Sequence, residues 1–216
     1  MTTSNAAALF RTRNDLPVAL RLRGCELLNQ QLADCIDLQT QCKQAHWNVK
    51  GVSFLALHKL FDDINEEVED YVDLLAERVV QLGGVAEGTL RRVAMRSTLG
   101  VYPPTATDAA QHLETLADAL ARFGRGARRC IDEMAKLGDA ASADILTEIV
   151  RGTDKWLWFV EAHLSPRQDI EATIQHSPIL DREEPELRYE PDIPVPEAAW
   201  ADDPPQNQPA APASNP

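Results

Sequence analysis

Residues 43–84 read KQAHWNVKGVSFLALHKLFDDINEEVEDYVDLLAERVVQLGG. From Ser53 to Leu82 the apolar residues Leu57, Phe61, Ile64, Val68, Val72, Leu75 and Val79 recur at steps of three and four, which predicts a helix with a core-facing stripe. Ser53 suits the N-cap and Gly83-Gly84 the stop. A second stripe, His58, Asp62, Glu66, Glu69, Asp73 and Glu77, lies about 100° round the helix, so it should border the core. The 16 residues from Asp62 to Glu77 hold eight acids and no Lys or Arg. Like charges at helical spacing destabilise a helix, so a cation is expected to offset them. With His46 and His58 in register, the set reads as a metal site rather than a solvated acidic face. Asp62 and Asp73 are about 16 Å apart along the helix axis and cannot share one metal within one chain. Two copies of the helix packed antiparallel near Val68 would bring Asp62 of one level with Asp73 and Glu77 of the other. A di-iron site inside one bundle would want Glu-x-x-His motifs, and the chain has none.

The run KQAHWNVKG, then His58 with Asp62, then DLLAERVVQLGG, and later DKWLWFVEAHL closely resembles the Dps family of mini-ferritins, over roughly Pro17 to Leu164. The resemblance implies a ferritin-like four-helix bundle with one long crossover carrying a short helix, assembled into a hollow dodecamer. It implies a ferroxidase centre at a dimer interface. His46, His58 and Asp62 of one subunit and Asp73 and Glu77 of its partner would hold two Fe ions per inter-subunit site. The implied function is oxidation of Fe(II), preferably by hydrogen peroxide, and storage of the ferric mineral, which protects DNA and cell from oxidative damage. Trp47 would sit beside the iron or pack in the interface. Acids at the start of the last helix, Asp139 or Asp144 ahead of Asp132 and Glu133, would line pores for iron entry; Asp139 equally suits a helix N-cap.

The remaining chain fits an all-α reading. A first long helix should run from Pro17 to about Asn48, with Leu20, Leu27, Leu28, Leu32, Cys35, Leu38 and Cys42 inward. About 22 residues then separate Gly84 from Thr107, against about 2 to 8 in ordinary bundle connections, so this is the crossover. A short helix is expected near Thr89–Met95. The third long helix, Thr107–Leu137, turns Leu113, Leu116, Leu120, Phe123, Ala127, Ile131 and Met134 inward. Gly124 and Gly126 suggest close helix approach, and His112 reads as a surface residue. The fourth, about Ala140–Leu164, follows Ile145, Ile149, Thr153, Leu157, Val160 and Leu164, with Trp156, Trp158 and Phe159 in core and subunit contacts.

The domain plan is therefore a flexible tail at 1–16, a bundle at 17–164 and an acidic Pro-rich segment at 165–216. That last segment holds 11 of 14 prolines and 11 acids against three arginines, so it is expected to be largely extended or disordered. Its charge of −8 out of −13 departs from the Lys-rich tails of some family members and argues against DNA binding. The N-terminal tail adds only Arg11 and Arg13 against Asp15. Cys25, Cys35, Cys42 and Cys130 lack zinc spacing and read as reduced core thiols. No apolar run suits a membrane span or signal peptide, which predicts a cytoplasmic protein, with nucleoid association as the alternative location. Two other functions compete: a DNA-binding nucleoid protein with an incidental metal site, and a helical oligomer that holds Zn or Mn without ferroxidase activity.

Overall fold

Pro17 opens the first helix, α1 (Val18–Asn48), because its fixed φ suits a first turn and its missing N–H would have had no partner. Gly51, at φ 108°, turns the chain into α2 (Phe54–Gln81). Gly83, at φ 88°, ends that helix in a conformation that favours glycine. The connection to α4 (Ala109–Leu137) carries the short α3 (Leu90–Arg96). Asp108 caps α4 by accepting the Gln111 N–H at 2.9 Å, and Gly138, at φ 73°, closes it before α5 (Ala140–Leu164). This computed structural model describes residues 9–164, and among them all regular structure is helical. The sequence expectations for residues 1–8 and 165–216 lie outside the described residues.

The core lies between the four long helices. Leu28, Leu32 and Leu38 of α1, Phe61, Ile64 and Leu75 of α2, Leu116, Leu120 and Phe123 of α4, and Leu146 and Ile149 of α5 are fully buried. Each such side chain contributes about 1.5–3 kcal/mol through burial. All four cysteines are buried free thiols, as the absence of paired spacing predicts. Gly126 leaves room for Gln31 of α1, and Gly124 for Thr153 of α5, so both glycines mark close helix approach.

The crossover is strapped along one polar edge of α1. Asn29 donates to Val85 O at 3.0 Å and accepts from Glu87 N–H at 2.9 Å. Gln30 donates to Arg96 O at 2.8 Å, Asp34 accepts from Thr98 N–H at 2.6 Å, and Gln41 donates to Gly100 O at 3.0 Å. Buried polar groups need partners, so these side chains determine where an irregular segment can lie.

Three features depart from the sequence expectations. Residues 9–16, assigned to a flexible tail, dock on the bundle. Phe10 N–H donates to Gly83 O at 2.7 Å, and the buried Arg21 donates to Leu16 O at 3.0 Å and Leu82 O at 2.9 Å. On α5 the buried stripe is Leu146, Ile149, Thr153, Trp156 and Val160, whereas Ile145, Leu157 and Leu164 are half-buried. The helix presents Gly152 to α2, where a Cβ would overlap the Tyr71 hydroxyl, and that contact sets its rotation. His112 is fully buried, not a surface residue, because the crossover covers it with Tyr102. Among the described residues no helix is long and apolar enough to cross a membrane.

Candidate metal centre

His46 is in the last turn of α1 and His58 in the second turn of α2, so the short α1–α2 connection brings the two rings face to face. Their centroids are 3.6 Å apart with planes 23° from parallel. Nδ1 of His46 is 2.8 Å from the His58 carbonyl, and Nδ1 of His58 is 2.8 Å from the His46 carbonyl. A carbonyl only accepts, so each Nδ1 carries a proton, and Nε2 is the nitrogen left through which each ring can ligate a metal. Reciprocity locks both rings before any ion arrives.

Asp62, one turn beyond His58, places Oδ1 3.8 Å from His46 Nδ1. Lys43 Nζ donates to that same oxygen. This contact, followed by the field of the two histidines, holds the Asp62 carboxyl below its ordinary range and keeps it anionic. Phe54 shields the far side of His58, with ring centroids 5.0 Å apart.

Asp73 and Glu77 are not brought to this cluster. They sit further along α2 and are exposed, as are Glu66 and Glu69. The acidic stripe is thus half-buried at His58 and Asp62 and open at its other end. Among the described residues no three His, Cys, Asp or Glu side chains of one chain are grouped to hold a metal ion. Trp47 is 69% exposed and lines a cavity of about 920 Å3 with Lys43, Asn65, Glu69 and Tyr102. Asp139 is buried, accepts the Ser142 N–H at 3.1 Å as the N-cap of α5, and pairs with Arg78 at 2.8 Å. Asp144 is exposed near the start of α5.

Sequence reasoning missed Lys43. Its neighbour Gln44 and the distant Lys50 look no different in the primary pattern; only folding α2 back on α1 brings it to Asp62. It also missed the Tyr102–His112 pair, because a coil has no periodicity from which burial can be inferred.

The helix order, the long crossover and the two-histidine end of the bundle define a class. The ferritin-like domain family matches residues 25–168. A DNA protection during starvation protein of Agrobacterium fabrum is 40% identical over 157 residues, covering 73% of this chain and 97% of that protein. Among solved structures, DpsC from Streptomyces coelicolor superposes with a TM-score of 0.72 at 30% identity, covering 77% of this chain and 97% of that one. Mycobacterium smegmatis Dps gives 0.70 at 30% identity, covering 73% and 96%. This chain belongs to the ferritin-like proteins and, within them, to the Dps family.

Proposed function

We propose that the chain is a ferroxidase and iron store: it oxidises Fe(II), preferably with hydrogen peroxide, and retains the ferric product in a hollow dodecamer. The reciprocal His46–His58 lock beside an anionic Asp62 carries this reading, since it presents two fixed Nε2 atoms and a carboxylate at one edge of the bundle. Asp73 and Glu77 of the partner subunit complete each of two equivalent sites, which accounts for their exposure in one chain. Fe(II) is the substrate, two ions per site. Imidazole suits Fe(II), and carboxylates stabilise the Fe(III) product. Lys43 holds Asp62 in place until the ion displaces it. Asp144 becomes the leading pore candidate, with Asp132 and Glu133 behind it, because both oxygens of Asp139 are engaged within the subunit.

Peroxide accepts two electrons, so one molecule can oxidise two Fe(II) ions without releasing a radical. The net charge of −13 and the acidic 165–216 segment favour protection through iron rather than by coating DNA, in a cytoplasmic setting. The same donors admit Zn or Mn as substitutes.

The test is anaerobic Fe(II) loading followed by peroxide, with absorbance and particle mass recorded together. Rapid oxidation with iron retained in a cage-sized particle is expected, and its loss in His46→Ala/His58→Ala. Oxidation unchanged in that variant would overturn the site.

A further inference from the structure

Tyr102 and His112 form a second chemically distinctive pair. The hydroxyl of Tyr102 stands 2.5 Å from Nδ1 of His112, and the rings stack with centroids 6.0 Å apart. His112 has no exposed surface, and its ring also meets the Asn48 backbone carbonyl. Burial pushes the imidazole's pKa down and the phenol's up, so the resting pair is phenol and neutral imidazole. Neutral imidazole accepts the phenol O–H at Nδ1.

The phenol also lies beside the cavity that borders the metal cluster. Tyr102 lines the same cavity as Trp47 and Lys43, and Lys43 is bonded to Asp62 of the metal cluster. Of the chain's three tyrosines, Tyr71 is hydrogen-bonded to a carboxylate, Glu67, at 2.5 Å, which cannot take up a proton as readily as imidazole.

We propose that Tyr102 and His112 act as a proton-coupled electron donor that quenches one-electron oxidants formed at the neighbouring metal cluster. The proposal rests on the ferroxidase reading for its oxidant: a site that meets peroxide with one Fe(II) in place of two leaves a hydroxyl radical. In the quenching step the phenol O–H bond breaks, its electron reduces the hydroxyl radical to hydroxide, and its proton moves to Nδ1 of His112. Phenoxyl radical and imidazolium result. The next Fe(II) to arrive supplies one electron, the proton returns, and the phenol is restored with formation of Fe(III). Both electrons of the peroxide then come from iron even when the ions arrive one at a time.

The test uses the full-length assembled protein in two arms, each followed by freeze-quench electron paramagnetic resonance. One arm oxidises the iron-free protein with flash-generated ruthenium(III) tris-bipyridine; the other adds substoichiometric Fe(II) and then peroxide. Both arms are expected to give a phenoxyl signal coupled to an exchangeable proton, absent in Tyr102→Phe and severalfold weaker in His112→Gln. If Tyr102→Phe does not assemble, His112→Gln provides the second readout: its phenoxyl signal should lose the exchangeable-proton coupling to imidazole seen in the wild-type protein, compared in H2O and D2O. A phenoxyl signal that survives in Tyr102→Phe, or a wild-type one without that coupling, would overturn the assignment, as would no phenoxyl signal in the flash arm. A signal in the flash arm alone overturns the link to iron and leaves the pair's redox chemistry standing, which separates its failure from that of the ferroxidase reading.

Discussion

Asp34 is a carboxylate placed inside a helix bundle, 3% exposed, to hold the crossover. Burial raises its carboxyl above the ordinary 3.8, while the Thr98 N–H, Gln30 and the Thr98 hydroxyl pull it down and Asp37 adds to the rise. The native state therefore binds this proton more tightly than the unfolded chain does. Its contribution to stability is fully present below 3.8 and is lost as pH rises through the raised folded value. Asp34→Asn keeps an acceptor for the Thr98 N–H without the buried charge. Its melting temperature at pH 7 should equal or exceed that of the wild type and lose this part of the acid-side slope. Asp34→Ala should instead cost about 1–3 kcal/mol, because the Thr98 N–H loses its acceptor. Thermal melts of both variants between pH 3.5 and 7, about the range spanned by carboxyl titration, check this. An Asp34→Asn variant clearly less stable than wild type at pH 7 would refute it.

At the scale of elements, the join between α4 and α5 depends on one buried ion pair. Arg78 of α2 donates to Asp139 at 2.8 Å and to Ser142 Oγ at 2.8 Å, so one guanidinium ties α2 to the start of α5. Removing Asp139 leaves a buried cation and an uncapped helix. Asp139→Ala should destabilise the subunit by about 3–5 kcal/mol, measured by chemical denaturation, whereas Asp144→Ala should leave stability unchanged and slow iron uptake. An Asp139→Ala protein of unaltered stability but slowed uptake would return the pore assignment to Asp139. The helices themselves were legible, since α5 spans the residues its spacing predicts. Its rotation was not. Ile149, Thr153 and Val160 serve either stripe, and the choice depends on Tyr71 pressing on Gly152 from another helix.

For the whole assembly, the proposed site makes a quantitative demand. Subunits carrying His46→Ala/His58→Ala and subunits carrying Asp73→Ala/Glu77→Ala should each be inactive alone. Random co-assembly restores one intact site in every mixed dimer, so about one quarter of wild-type sites should return, because a two-fold interface joins each chain's histidines to the other's carboxylates. Fe(II) oxidation by the co-expressed mixture is the measurement, and no recovery in verified mixed particles would place the site within one subunit.

Local spacing by itself determined the all-helical class, the helix limits and the ligand candidates, because a 3.6-residue period and Pro, Gly and Asp end signals act within a few residues. The stacked histidines were half legible: their proximity follows from a short connection, but the exchange of Nδ1 bonds with each other's carbonyls does not. Only the tertiary structure decided that residues 9–16 dock, that Lys43 meets Asp62, that Asp139 serves Arg78, and that His112 is enclosed with Tyr102. The last three pairs join residues from 10 to 61 positions apart. Their outcome depends on which polar groups remain unpartnered once the helices have packed, and no local pattern carries that information.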